Sequence, residues 1–399
     1  MTVVSGRPYL LVAISVLLSL VVSAAQTITY KVVAIGSPFD PPGYVSTFDL
    51  NNHGAVAAED ISNGRPDLGY VWKGGKATPT PTLGGTCGRA GGINDLGQVV
   101  GMSCLADNKT QHAFLLRNRK MIDITPIGSV SAGAGAINRN GQVVGGFLAT
   151  DGSYHGFVWQ KKKWSDLGFL GGSETFSYDI SESGVVTGQS DISNDPDPVF
   201  GIPPFHGFTW ATGVLTDLGQ IFGSDFSYSV GVDAAGRVTG VADVSDNMAG
   251  HAYLWDHGTV TDLSPYGDAI SSWSNDVNRQ GDIVGTWGFS SNDPADGPPL
   301  YSITCPCYAV VWHDGQPLFL NSVVDPNWAL SLGLWINDRG EIVAWGSYQG
   351  GAIQTVLLKP IAGAAKTLKS EPPIRKIDGT ITTPRGFRRE RDGRITMLQ

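Results

Sequence analysis

The chain has 399 residues and a formal net charge of −9, with only 16% charged residues against 41% hydrophobic ones. A body this acidic is unsuited to binding nucleic acid, because affinity for phosphate comes mainly from Lys and Arg. Glycine accounts for 53 residues, about twice its ordinary share. So many glycines and so few charges favour an all-β chain of short strands and tight turns.

The first 25 residues have the layout of an export signal. Arg7 supplies a positive charge, residues 9–22 form an uncharged apolar run, and residues 23–25 are small, as a cleavage site requires. The apolar run is short for a stable membrane span. We therefore expect residues 1–25 to be a signal peptide cleaved before Gln26, and the mature protein to be secreted or periplasmic without a membrane span. A retained N-terminal anchor is the alternative.

One phrase recurs along the chain. The pattern Ile-Asn-x-x-Gly-Gln-Val-Val-Gly occupies residues 93–101 and returns at 137–145. An Asn, Asp or Ser at the start of a turn can accept a hydrogen bond from the backbone two residues on, and Gly three residues later takes a left-handed conformation. Each copy therefore predicts a turn between two antiparallel strands, here called strands a and b. The other copies, which are weaker, begin at Asn51, Ser181, Asp233, Asn278 and Asn337.

Two further phrases follow these turns. His-Gly-Phe-Val-Trp at 155–159 returns with changes at 206–210 and 251–255, and its alternating aromatic and branched residues predict a half-buried strand c. Asp-Leu-Gly at 166–168 and 217–219 predicts a short strand d. Four strands in about 45 residues are typical of one propeller blade, and the seven turns predict seven blades.

The two ends of the chain predict how the ring closes. The seventh copy supplies strands a, b and c without a good strand d, whereas residues 29–36 have the pattern of a lone strand d. We therefore predict an all-β fold, a seven-bladed β-propeller of four-stranded antiparallel blades over residues 26–360, with its ring closed by the N-terminal strand. The basic tail at 361–399 is predicted as a hairpin, as an alternative closing strand, or as a disordered segment.

The four cysteines suit an oxidising compartment. Cys87 and Cys104 stand at equal distances from the centre of one predicted turn, so we expect a disulfide across that hairpin. Cys305 and Cys307 flank a single proline, and this pattern leaves their pairing open. No second Cys or His pair accompanies them at zinc-site spacing, so we expect no metal there.

Taken together, these phrases resemble the bacterial extracellular HAF-repeat family, named for a His-Ala-Phe motif that stands here at 112–114. The best matches are residues 94–101 and 138–172, and the resemblance covers roughly residues 28–360. It implies a secreted, propeller-like protein and brings no catalytic residues with it. The later repeats depart from the family pattern, with Asp233 in place of Asn and Tyr308 in place of His.

The candidate ligand-binding residues are aromatic side chains predicted to lie on the loops between strand d of one blade and strand a of the next. In a propeller these loops share a face with the loops between strands b and c, where insertions are predicted at 191–205 and 290–306. Aromatic rings beside carboxylates suit stacking against sugars or holding a peptide. The candidates are Tyr44, Phe176, Tyr178, Phe226, Tyr228, Trp273 and Trp328.

Histidines and aspartates also repeat, at equivalent points of strands c and d. Equivalent positions in different blades are too far apart to converge on one metal ion, so we interpret both sets as structural and expect no catalytic residue, no metal and no cofactor. The Asp-rich loops at 191–197 and 292–296 are interpreted as solvated loops rather than calcium sites. The repeated residues are His112, His155, His206, His251, Asp123, Asp166, Asp217 and Asp262.

The sequence thus favours a monomeric extracellular binding module whose ligand, a glycan or a protein, sits on the face of the long loops. The alternatives are a hydrolase or lyase acting on a polymer at the channel mouth, and a purely structural surface or matrix protein. Small residues in a predicted innermost strand, at 133–136, favour binding or scaffolding over catalysis. Asp179 and Asp276, predicted to lie nearest the axis, keep the enzymatic alternative open.

Overall fold

The computed structural model describes residues 30–39, 44–61, 66–198, 200–244, 250–264, 271–288 and 307–361, together with the backbone of four short strands between 376 and 397. Within these ranges the regular structure is β-strand, apart from one 3-10 turn at Leu320–Ser322. In the same ranges, no helix has the length and apolar character needed to cross a membrane.

The chain begins with β1 (Tyr30–Ala34) and continues with sheets whose four strands are consecutive and antiparallel. Sheets 1 and 2 are joined by a single parallel bridge between Leu68 and Gly88. Sheet 1 contains β2 (Tyr44–Leu50), β3 (Ala55–Ile61), β4 (Leu68–Lys73) and β5 (Lys76–Pro79). Sheet 2 contains β6 (Gly88–Ile93), β7 (Val99–Cys104), β8 (Gln111–Arg117) and β9 (Lys120–Asp123).

The next four sheets repeat this arrangement along the chain. Sheet 3 contains β10 (Ser131–Ile137), β11 (Val143–Leu148), β12 (Tyr154–Gln160) and β13 (Lys163–Asp166). Sheet 4 contains β14 (Thr175–Ile180), β15 (Val186–Asp191), β16 (Phe205–Ala211) and β17 (Val214–Asp217). Sheet 5 contains β18 (Ser227–Val232), β19 (Val238–Asp243), β20 (Gly250–Asp256) and β21 (Thr259–Asp262). Sheet 6 contains β22 (Ser271–Val277), β23 (Ile283–Gly288), β24 (Tyr308–His313) and β25 (Gln316–Phe319).

Sheet 7 combines β1 with three strands that precede the tail, β26 (Trp328–Ile336), β27 (Ile342–Tyr348) and β28 (Ile353–Pro360). Its order is β1-β28-β27-β26, and β1 pairs antiparallel with β28 so that Val33 stands opposite Leu357. The N–H of Ile35 also donates to the Thr355 carbonyl at 2.9 Å. The tail adds a separate small sheet of β29 (Lys376–Ile377), β30 (Thr380–Thr383), β31 (Phe387–Arg389) and β32 (Ile395–Met397).

The turn between the first two strands of each sheet follows the predicted chemistry. In sheet 7, Asn337 Oδ1 accepts hydrogen bonds from the N–H groups of Arg339 and Glu341, at 3.0 and 2.9 Å. Its Nδ2 donates to the Asn51 carbonyl of sheet 1 at 2.9 Å. The amide ends of other turn asparagines likewise bind the next sheet, from Asn51 to Asn94, from Asn94 to Asn138, from Asn138 to Ser181, and from Asn278 to Asn337. The turns therefore link neighbouring sheets, which the sequence pattern did not reveal.

The repeated glycine at the end of the Gln-Val-Val-Gly phrase has a steric cause. The first strand of each sheet contains a register shift, and its backbone carbonyl lies against the second strand. A Cβ on Gly188 would lie 1.9 Å from the Phe176 carbonyl oxygen, and one on Gly145 would lie 2.1 Å from that of Gly133. Only glycine therefore fits without displacing the backbone.

The hydrophobic core lies between neighbouring sheets and is filled mainly from their second and third strands. Trp72, Phe157 and Trp312 are almost completely buried, and the Trp312 Nε1 donates to the Leu263 carbonyl at 2.7 Å, which joins sheet 6 to the end of sheet 5. Of the tryptophans that recur at the end of strand c, Trp72, Trp159 and Trp312 are buried, whereas Trp210 and Trp255 are half-buried.

The predicted disulfide between Cys87 and Cys104 is present, with the two Cα atoms 5.3 Å apart. The predicted insertion of repeat four also occurs, since β15 ends at Asp191 and β16 begins at Phe205. The insertion predicted at 290–306, including Cys305 and the Asp-rich segment 292–296, lies outside the described residues. Cys307 follows it and is buried against sheets 1 and 7.

Candidate functional site

The first strands of the seven sheets surround one cavity of about 620 Å³. This central cavity has an upper end, where the first strands begin, and a turn end, where they enter the asparagine turns. Its volume lies within the range of sites that hold small ligands. Its lining combines aromatic, carboxylate, amide and guanidinium groups, so binding groups of unlike chemistry meet within one concave site.

Aromatic rings dominate the upper end of the cavity. Tyr178 is 39% exposed, and its hydroxyl donates to Gln189 Oε1 at 3.0 Å. Desolvation by the surrounding protein raises the pKa of both Tyr178 and Tyr228 well above the usual range, so both phenols stay neutral at physiological pH. The other rings that line the cavity are Phe48, Phe205, Trp335 and Trp345.

Three carboxylates lie one step deeper, at equivalent positions of sheets 1, 4 and 6. They are Asp49, Asp179 and Asp276, each directly before the branched residue that precedes the turn. One oxygen of each accepts a hydrogen bond from the next backbone N–H at 2.7 Å. The other oxygen accepts from the N–H of a neighbouring sheet, at 2.7 Å from Ile93, 2.9 Å from Val232 and 2.8 Å from Ile336.

The electrostatics of these three carboxylates follow from their burial. Burial raises the pKa of Asp49 to about 7 and that of Asp179 to about 6, in spite of the backbone donors that lower both. Burial also raises the pKa of Asp276 well above its ordinary value, and the negative charges of Asp179 and Asp49 add to that effect. Because both oxygens of each group already bind backbone amides, the carboxylates act first as clamps between sheets and retain only part of their acceptor capacity for a ligand.

The turn end is spanned by paired charges. Arg279 pairs with Asp338 at 3.0 Å and Arg139 with Asp95 at 2.7 Å. Asn52 lies between these pairs and donates through Nδ2 to both Asp338 and Asp95, at 2.9 and 3.1 Å. The charged side chains at this end are therefore largely satisfied by one another, and the groups available to a ligand concentrate at the upper end.

The seven aromatic residues predicted from the sequence divide into two groups. Tyr178 and Tyr228 line the central cavity. The others pack mainly against aromatic neighbours: Tyr44 on Trp345 (5.3 Å between ring centroids), Phe176 on Tyr154 (4.5 Å), Phe226 on Phe200 (4.7 Å) and Trp328 on Tyr348 (5.3 Å). Trp273 lies on β22 beside Gly250.

Their predicted location on loops is wrong. Six of the seven lie within the first strands of their sheets, and Phe226 lies immediately before β18. The reason is geometric, because the first strands begin earlier than the turn-like sequences around them suggested. Asp49 and Arg89 also line the cavity and were missed. The Asp49-Leu50-Asn51 sequence matches Asp179-Ile180-Ser181 and could have revealed Asp49, whereas no repeat pattern marks Arg89.

Each repeated histidine has a structural partner within its own sheet. Each donates its Nδ1–H to the repeated aspartate eleven residues later, on the adjacent outer strand of the same sheet, because a carboxylate only accepts. The pairs are His112–Asp123 (2.7 Å), His155–Asp166 (2.7 Å), His206–Asp217 (2.9 Å) and His251–Asp262 (3.0 Å). The repeated histidines and the repeated aspartates therefore form hydrogen-bonded pairs, and these pairs hold the outer strand of each sheet to its neighbour.

One of these pairs has an added serine. Ser153 Oγ lies 2.8 Å from His155 Nε2, which gives the atom order of a Ser-His-Asp triad with Asp166. However, Ser153 Oγ also lies 2.5 Å from Asp151 Oδ1 in the same tight turn. The group lies away from the central cavity, and the paired histidine and aspartate recur in three other sheets, so the contacts are those of a structural turn. In the described ranges, no group of three or more His, Cys, Asp or Glu residues is arranged to hold a metal ion.

The comparisons with known proteins concern the fold. No protein-family model matches the chain, and no curated protein matches it, so the HAF-repeat resemblance stays a prediction. The β-propeller domain of the trilobed protease from Pyrococcus furiosus is 10% identical, covers 81% of this chain and 97% of its own, and has a TM-score of 0.53. The acylaminoacyl peptidase of Pyrococcus horikoshii is 12% identical, covers 82% of this chain and 53% of its own, and has a TM-score of 0.50. The chain is therefore similar to β-propeller domains in fold.

Proposed function

We propose that the chain is a secreted seven-bladed β-propeller, closed into a ring by its N-terminal strand, that binds a carbohydrate in its central cavity. Two contacts support the closed ring. The pairing of β1 with β28 gives the last sheet its fourth strand, and the hydrogen bond from Asn337 Nδ2 to the Asn51 carbonyl joins the last sheet to the first. Pairing the chain ends in this way also removes two exposed sheet edges.

The observation that carries the proposed function is the combination of aromatic rings and hydrogen-bonding groups around one cavity. Sugars present apolar C–H faces that stack on aromatic rings and hydroxyls that donate to carboxylates and amides. The cavity offers Tyr178 and Tyr228 as rings, and Asn275, Gln189 and Asp49 as polar partners. A pocket with mostly apolar walls and a few converging polar groups is the usual form of a ligand site.

Binding is favoured over polymer cleavage by the state of the carboxylates. A glycoside hydrolase needs two carboxyl groups free to exchange protons with the substrate or to attack it. In this cavity both oxygens of Asp49, Asp179 and Asp276 accept backbone hydrogen bonds that hold neighbouring sheets together. The signal-like residues 1–25 and the Cys87–Cys104 disulfide support export to an oxidising compartment.

The test is a glycan array probed with the mature protein, residues 26–399, and with the Tyr178→Ala/Tyr228→Ala double variant. We expect the wild type to bind a defined set of glycans, and the double variant to lose about tenfold or more in affinity, because each ring supplies stacking area within the cavity. The matched control is Trp164→Ala/Tyr348→Ala, which removes two rings that are each 40% exposed and lie outside the cavity lining.

Three outcomes are informative. Binding lost in the cavity variant and kept in the control supports the proposal. Binding lost equally in both variants, or only in the control, contradicts the cavity as the site. A wild type that binds no glycan overturns carbohydrate recognition and leaves protein recognition or a structural role as the leading account.

A further inference from the structure

Arg89 is an unusual group within the central cavity. It is the second residue of β6 and lines the upper end together with Phe48. Its guanidinium carbon lies 4.8 Å from the centroid of the Phe48 ring, in a cation–π contact. Such a contact orders the side chain over the ring and leaves the N–H groups at the guanidinium edge free to bind a planar partner.

This guanidinium lacks a hydrogen-bonding or ionic partner among the described residues. Its Nε is buried and makes no hydrogen bond, and no ion pair to Arg89 occurs within the described part of the chain. Other arginines differ, since Arg139, Arg237 and Arg279 each bind an aspartate, at 2.7, 2.7 and 3.0 Å. A buried guanidinium donor without an acceptor is costly unless a ligand supplies that acceptor.

The acidic groups nearby do not take that role. Glu59 on β3 interacts with Arg89 electrostatically but forms no ion pair with it, and burial raises the pKa of Glu59 to about 7, so its charge is only partly present at neutral pH. Asp49, Asp179 and Asp276, here called the clamp carboxylates, lie in another layer of the cavity. Arg89 stands three residues before Gly92, which is the residue of sheet 2 that is equivalent to Asp49. Their oxygens face backbone amides.

We propose that Arg89 makes the cavity selective for an acidic sugar, a hexuronic acid, whose carboxylate binds the Arg89 guanidinium. This inference rests on the proposed carbohydrate function and adds the class of sugar. A carboxylate matches the planar fork of a guanidinium and binds it through two parallel hydrogen bonds. The neutral hydroxyls of the same ring are suited to the phenols of Tyr178 and Tyr228 and to the remaining acceptor sites of the clamp carboxylates.

The test is titration calorimetry of the mature protein with trisaccharides of galacturonic, glucuronic and mannuronic acid, each measured beside its methyl ester. The ester keeps the sugar scaffold and removes the charge. We expect at least one acid to bind about tenfold or more tightly than its ester, the range of a charge-assisted hydrogen bond. In Arg89→Met the preference for that acid over its ester should disappear, and in Arg89→Lys part of it should return, because a point charge without the planar fork remains.

Arg279→Met is the matched control, since Arg279 also lines the cavity but is already paired with Asp338. It should keep the preference, and the thermal unfolding midpoint of every variant establishes that it is folded. Equal binding of acids and esters, or neutral glycans bound on the array without any uronate, overturns the role of Arg89 while carbohydrate binding stands. Failure of every glycan, acidic or neutral, overturns the proposed function itself.

Discussion

Replacing Asn337 with alanine is expected to lower the free energy of unfolding by about 2–4 kcal/mol, because several buried partners lose their bonds at once. Asn337 is only 4% exposed. Its Oδ1 accepts from the N–H groups of Arg339 and Glu341, and its Nδ2 donates to the Asn51 carbonyl and to Glu341 Oε2 at 2.9 and 2.8 Å. The substitution therefore removes a turn cap and a link between the last sheet and the first. Urea denaturation followed by intrinsic fluorescence measures the effect.

The control for this variant is Asn140→Ala, in the equivalent turn of sheet 3. Asn140 is exposed, and its Nδ2 donates to the Glu182 carbonyl at 3.1 Å. We expect its removal to cost less than about 0.5 kcal/mol, as is usual at the surface. If the two variants lose the same small amount of stability, the asparagine links do not hold the sheets together.

The protein is expected to be more stable at pH 5 than at pH 8, by about 4 kcal/mol or more. Burial raises the folded-state pKa of Asp49 to about 7 and that of Asp179 to about 6, and that of Asp276 rises in the same direction. Between the ordinary value of 3.8 and these raised values, the folded state binds more protons than the unfolded state. Stability therefore falls as the pH rises through about 6 to 7, and each pKa unit is worth about 1.4 kcal/mol.

Thermal and urea unfolding across pH 4.5 to 8.5 would measure this dependence, with both pH limits roughly bracketing the titration of the raised groups. Asp49→Asn should reduce the fall in stability by about 3 kcal/mol, because the amide cannot ionise whereas Asp179 and Asp276 still titrate. Asp256→Asn is the control, since Asp256 is exposed on sheet 5, and its profile should run parallel to that of the wild type. A wild-type profile that is flat over this range, or that rises toward pH 8, contradicts the buried state assigned to the three carboxylates.

Much of the fold could be predicted because the repeat is local. Turn chemistry at Asn94 and Asn138, alternation in strand c and the symmetric placing of Cys87 and Cys104 about one turn are all properties of short segments. The lone strand at 29–36 is predictable because the last repeat lacks a fourth strand, and β1 does pair with β28.

The site was predicted less well, because it depends on which side chains converge from seven separate strands. The aromatic candidates share their residue type and their place in the repeat. Tyr178 and Tyr228 line the cavity, whereas Phe176 and Trp328 pack against other rings. Arg89 has no counterpart in the repeats, and its missing partner is visible only in three dimensions. The contact between each repeated histidine and aspartate could likewise not be predicted from the sequence pattern, since it depends on the pairing of two adjacent strands.

A ligand bound in the central cavity should be sensitive to a larger side chain at Gly135. Gly135 lines the cavity, and a Cβ placed there would lie 3.8 Å from its nearest neighbour, the Tyr178 carbonyl oxygen. A larger side chain can therefore enter the open space without a backbone clash. The control is Gly36→Phe, where a Cβ meets nothing within 4 Å at a position outside the cavity lining.

The measurement is the calorimetric affinity of Gly135→Phe for whichever glycan the wild type binds, with the unfolding midpoint recorded beside it. We expect Gly135→Phe to fold normally and to lose about a hundredfold or more in affinity, equivalent to about 2.7 kcal/mol of binding free energy, while Gly36→Phe binds like the wild type. A folded Gly135→Phe that binds with unchanged affinity would place the ligand elsewhere and contradict the account.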